Sequence, residues 1–177
     1  MLKIKKISFF VCLFLLANCF GQQAITATKD ASGNLIGIAT KASFNQQPFV
    51  GWFTSYYDTY VVDVETLSQL EKALRKVKIK AFMGTWCGDS KREIPRFYKI
   101  LEAVNFDLKN LEMITVNRRK RTPDNLQEGF DIIRVPTFIF YKKGKEIGRY
   151  VEYARESLEK DMLKILTGKP YKHSYEN

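Results

Sequence analysis

One sulfur carries most of the chemistry this chain can offer. Of its three cysteines, Cys12 and Cys19 fall in a basic-then-apolar leader, which leaves Cys87. That residue stands in Gly84-Thr85-Trp86-Cys87-Gly88-Asp89-Ser90-Lys91, where an apolar, β-branched run over 77–85 gives way to a helical pattern over 90–104. A thiol at a helix start lies among unpaired backbone N–H groups and the positive end of the dipole, and both favour a negative, nucleophilic sulfur. Ser90, three residues on, can place a hydroxyl near it. Lys91 and Arg92 add positive charge, and Asp89 opposes them.

The scarce residues exclude other chemistries. The single histidine, His173, lies in the polar C-terminal segment, so a Cys/His zinc site has no ligand set. Cys–His or Ser–His–Asp catalysis would need that segment to fold back. One cysteine outside the leader forbids an internal disulfide framework. No metal or organic cofactor is implied. At 45% hydrophobic and 14% aromatic residues, the chain is not disordered. Its formal charge is +10, lowered by three if Lys3, Lys5 and Lys6 leave with the leader. Such a surplus favours acidic partners only weakly. The run Arg118-Arg119-Lys120-Arg121 lacks interleaved aromatics and reads as a solvated loop, with contact to an anionic lipid, a glycan or an acidic client as the alternative, so no nucleic-acid partner is expected.

The leader sets the compartment. Residues 1–6 are basic and 7–17 mostly apolar, a stretch shorter than the roughly 20 residues a membrane helix needs. Residues 1–21 are therefore expected to be a signal peptide cut after Gly21, making the protein exported, to the periplasm or cell envelope. Two alternatives stay open: an uncleaved anchor, and a lipoprotein box at Leu16-Ala17-Asn18-Cys19 with Cys19 acylated. Only lipidation of Cys19 would give a membrane partner.

The elements that must position Cys87 follow from periodicity. A hairpin is expected around Asp30-Ala31-Ser32-Gly33-Asn34. The aromatics Phe49, Trp52, Phe53, Tyr56, Tyr57 and Tyr60 then read as packing for an N-terminal extension, 22–62. Further on, helices are expected after Asp63-Val64-Glu65-Thr66 to about 76, over 90–104 and over 157–167, with strands over 77–85, 112–117, 137–141 and 146–151. Thr122-Pro123-Asp124 supplies a cap, a first-turn proline and an acid, and predicts another helix. Gly168 and Pro170 close the last helix before a tail, 168–177. This alternation gives an α/β fold, a central mixed sheet flanked by helices with a β-hairpin-like extension.

Residues 63–167 resemble the thioredoxin superfamily. Trp86-Cys87 with Ser90 is similar to the family's Trp-Cys-x-x-Cys. Pro95 stands where thioredoxins carry a proline in the following helix. Val135-Pro136-Thr137 resembles the cis-proline segment that faces the active-site cysteine. With its extension, the chain is most similar to exported TlpA/ResA-like members. The resemblance implies a thioredoxin-like fold with Cys87 as nucleophile and Ser90 stabilising its thiolate. Trp86, Val135, Pro136 and Thr137 would contact clients, and Asp89 and Lys91 would set the local charge. Protein or small-molecule thiols and disulfides would be the partners; the oligomeric state is left open. Three departures matter. Ser90 replaces the second cysteine, Ala81 stands where the family keeps a buried acid, and Gly88-Asp89 replaces Gly-Pro. A dithiol cycle therefore cannot run. The expected chemistry is one-cysteine exchange, in which an external thiol releases the mixed disulfide. The alternative is a redox-inactive binding or chaperone-like module.

Overall fold

The computed structural model describes residues 26–176; the expected signal at 1–21, with Cys12 and Cys19, lies outside them. The described strands are β1 (Thr28–Lys29), β2 (Leu35–Ala39), β3 (Val77–Met83), β4 (Leu111–Thr115), β5 (Thr137–Lys142) and β6 (Lys145–Val151). They form one sheet in the order β1-β2-β4-β3-β5-β6. Four helices accompany them: α1 (Val50–Thr59), α2 (Val64–Ala73), α3 (Gly88–Ala103) and α4 (Leu158–Thr167). β3 and β4 are parallel, which requires a crossover, and α3 supplies it. The other pairings, β1–β2, β2–β4, β3–β5 and β5–β6, are antiparallel. The fold is thioredoxin-like α/β, a mixed six-stranded sheet flanked by four helices.

Alternation along the strands builds two cores. Ile79, Ala81 and Met83 of β3 join Phe138 and Phe140 of β5 in the larger one, with side chains from all four helices. Phe82 and Ile139 point to the opposite face and meet Ile114, Val116 and Val135 in the smaller one. The helix starts follow their cap residues. The Asp63 carboxylate accepts the Glu65 N–H at 3.2 Å, and the Ser157 hydroxyl oxygen accepts that of Lys160 at 3.2 Å. Gly168, at φ +69°, ends α4. Pro95 lies inside α3 and is buried.

Two segments differ from expectation. The helix signalled by Thr122-Pro123-Asp124 does not form; residues after Thr122 make turns. Thr122 Oγ1 accepts the Leu126 N–H at 2.9 Å, and the Gln127 side-chain oxygen accepts the Thr122 N–H at 2.8 Å, closing a local loop. Asn125, Gly129 and Asp131 then take φ values of +52°, +78° and +50°, which break a right-handed helix within each turn. Leu126, Phe130 and Ile132 from these turns pack against the smaller core.

The aromatic patch, conversely, contains a helix, α1. It begins at Phe49 without a side-chain cap, so packing rather than local signals holds it. Phe53 stacks on Phe44 at 5.4 Å and tilts against Tyr98 of α3 at 5.9 Å. Lys99 Nζ donates to the carbonyls of Tyr57 and Tyr60, each at 2.8 Å, and satisfies the end of α1. The extension is thus built into the domain: β2 joins the sheet, and Leu35, Phe44, Phe49 and Phe53 lie in the same core as α3.

Candidate functional site

β3 delivers the chain to the site and α3 leaves from it. Cys87 is the residue that caps α3, with extended backbone (φ −90°, ψ 129°) and no side-chain cap bond. Its N–H closes a turn onto the Gly84 carbonyl at 2.9 Å. Gly84 is dictated by sterics, because a Cβ there would sit 2.5 Å from the Trp86 indole. That indole donates to the Val116 carbonyl at 2.8 Å and is fixed across the end of β4. Thr85 ties the loop to the extension by accepting the Leu35 N–H at 3.1 Å.

The Val135-Pro136-Thr137 segment lies against Cys87, joined by a cis peptide between Val135 and Pro136. The Cys87 thiol donates to the Val135 carbonyl at 3.2 Å. Val135, Pro136 and Thr137 are all buried. The Pro136 carbonyl accepts the Glu152 N–H at 2.7 Å, and Thr137 Oγ1 donates to the Arg134 carbonyl at 2.8 Å. What this segment shows to solvent is Arg134, which is exposed.

Ser90 is fully buried, and its oxygen accepts the Gly84 N–H at 3.2 Å. It braces the loop that carries Cys87, while the bond at the sulfur goes to Val135. Asp89 pairs with Arg92 at 2.8 Å, which draws its charge along α3. Lys91 is half-buried beside them. Ala81 is completely enclosed in β3, so no carboxylate stands at that position.

Cys87 opens into a groove of about 390 Å³. Sequence reasoning missed much of its wall: Arg118, Lys120, Arg134, Glu152 and Tyr175 all line it. The Arg118 guanidinium lies 5.3 Å from the Trp86 ring, and that of Arg134 lies 5.0 Å from Tyr175. The basic run was visible in the sequence, but its place at the site comes from the turn over residues 117–121 that follows β4, where the Asn117 N–H donates to the Arg121 carbonyl at 3.0 Å. Burial, then the nearby Asp89 charge, holds the Glu152 carboxyl above the usual carboxylate range. A larger depression of about 720 Å³ opens near the start of β3, lined by Lys76 and Lys78, and lacks a thiol. The chemistry is in the smaller groove. Among the described residues, no group of three or more His, Cys, Asp or Glu is arranged to hold a metal.

A sequence-family model described as thioredoxin matches residues 51–164. The chain belongs to the thioredoxin family. It is 30% identical to a thioredoxin-like protein of Acanthamoeba polyphaga mimivirus over 107 residues, 58% of this chain and 75% of that one. Against the thioredoxin of Oryctolagus cuniculus it is 29% identical over 97 residues, 55% of this chain and 87% of the relative. A Pseudomonas aeruginosa protein of unknown function superposes with a TM-score of 0.55 at 15% identity, covering 72% of this chain and 91% of that one. That similarity speaks to the fold alone. As a thioredoxin-family chain, this protein is tied to thiol–disulfide redox chemistry, and Cys87 is the one thiol among its described residues.

Proposed function

We propose that this protein is an exported thioredoxin-like exchange protein, of the Trp-Cys-x-x-Ser kind, working through Cys87 alone. One observation carries the reading: a half-buried thiol caps α3 at the mouth of a groove, with serine, not cysteine, one turn further on. The basic and apolar leader supports export.

In the resting site the thiol proton is held toward the Val135 carbonyl. It leaves to water at the groove mouth, and the sulfur attacks one sulfur of a client disulfide. The client S–S bond breaks, a Cys87–client disulfide forms, and the departing client sulfur takes the electron pair as thiolate. A second thiol, from the client or a small molecule, then attacks the mixed disulfide and returns Cys87 as thiolate. If the client supplies that thiol, its disulfides are rearranged; if a small molecule does, it stays disulfide-bonded to the client until a second small-molecule thiol releases it, which leaves the client reduced and the two small thiols joined as a disulfide. Trp86 and the Val135 backbone border the reacting sulfur. Ser90 serves by positioning the loop.

The test is Cys87→Ser in exchange with a disulfide-bonded peptide and a small-molecule thiol. Exchange is expected to fall to the uncatalysed rate while peptide binding persists. Exchange that survives the substitution would overturn the reading. A second reading, a binding module without covalent chemistry, draws on the thiol's engagement with Val135, and it expects Cys87→Ser to change nothing.

A further inference from the structure

The groove around Cys87 is lopsided in charge. Arg118 stands on the Trp86 side of the sulfur, Arg134 on the Val135 side, and Lys120 lines the same wall. Among the described residues none of the three is in an ion pair, whereas Lys41, Lys80, Arg92, Arg149 and Lys164 each have a carboxylate partner. Their placement is fixed all the same. Trp86 and Tyr175 carry the two guanidinium groups. Asn117 Oδ1 accepts the Arg119 and Arg121 N–H groups at 2.9 and 3.0 Å, which holds the turn bearing Lys120. Glu152 is the single acid in the wall.

We infer that Arg118, Lys120 and Arg134 read carboxylates flanking the client's cysteine, so that the preferred client is an acidic polypeptide segment. The inference rests on Cys87 exchange as proposed above. An occupant that reacts at Cys87 must bring a sulfur to the groove floor. Its neighbours on either side then face a cation held by a ring. Unpaired cations in a concave site raise the local concentration of a negatively charged partner and the rate of encounter, and salt screens the effect.

The test uses the full chain with Cys12→Ala and Cys19→Ala, so that Cys87 is its one thiol. Three peptides carry a cysteine flanked by glutamates, by serines or by lysines, each disulfide-bonded to a chromophoric aromatic thiol. Attack on the peptide sulfur forms the Cys87–peptide disulfide and releases the chromophore as thiolate, so absorbance reports the rate. Each rate is divided by that of a neutral small-molecule thiol with the same probe. The glutamate probe is expected to react about tenfold faster than the lysine probe at low salt, and within about twofold of it at 0.5 M salt. Arg118→Gln with Arg134→Gln should collapse the glutamate-to-lysine ratio, a quotient from which any rate change shared by both probes cancels, and Glu152→Gln should raise it. The salt series on the otherwise unmodified chain decides the matter if the double variant does not fold. Equal rates for all three probes at low salt, or faster reaction of the lysine probe, would overturn the inference while leaving exchange intact. Failure of every probe to react would overturn the exchange reading, and this inference with it.

Discussion

Glu152 joins the backbone of the site to its charge. Its φ of +66° is one that non-glycine residues adopt only under constraint, and the 2.7 Å bond from its N–H to Pro136 holds it there. Its carboxyl is pushed up by burial and then by Asp89, so the folded protein disfavours its charged form. The resulting penalty is present above the raised folded-state value and vanishes below the usual 4.5. Glu152→Gln should therefore raise the melting temperature at pH 7, with the gain disappearing near pH 4. A gain of equal size at both pH values would contradict the assignment. Ser90 invites a converse substitution, since it is buried one turn beyond Cys87 in the loop it braces. Ser90→Cys should supply the missing resolving thiol. A mixed disulfide at Cys87 would then break without added thiol and leave Cys87 bridged to the introduced sulfur, seen as a loss of two hydrogens by mass. At this scale the sequence made Trp86, Cys87 and the Val135-Pro136-Thr137 segment legible, because they sit in local motifs. Arg134 and Tyr175 carried no such signal, for they reach the groove only through tertiary folding.

Elements were legible where their ends were marked. Asp63, Ser157 and Gly168 announce the limits of α2 and α4, and the structure uses each as a cap. α1 lacks such marks. It opens on Phe49, contains Gly51 and is rich in aromatics, whose intrinsic helix preference is weak. Its stability comes from the Phe44–Phe53–Tyr98 contacts with α3, which no local pattern reveals. Thr122-Pro123-Asp124 shows the reverse: a sound cap cannot nucleate a helix when Asn125, Gly129 and Asp131 follow in left-handed conformation. The importance of α1 can be measured. Phe53, 3% exposed, should cost about 3–5 kcal/mol on truncation to alanine, read from denaturant unfolding. A loss below about 1 kcal/mol would mean that α1 is peripheral to the core, as a separable extension would be.

For the whole molecule, the sheet and its extension form one support for a single sulfur. β3 points Cys87 at the groove, and α3 begins at that residue. β2 and Thr85 brace the loop from the other side. The alternating strand and helix pattern made this α/β order readable. The way the basic turn and the C-terminal tail close over the site was not readable, because those segments have no periodicity and their positions follow from packing against a finished sheet. One measurement tests the one-cysteine mechanism most directly: the intact mass of the folded chain, with Cys12→Ala and Cys19→Ala, after brief exposure to excess small-molecule disulfide. The expected result is one adduct on Cys87 that persists after the disulfide is removed and disappears only when an external thiol is added. An unmodified mass, with labelling only after unfolding, or an adduct that vanishes unaided, would contradict it.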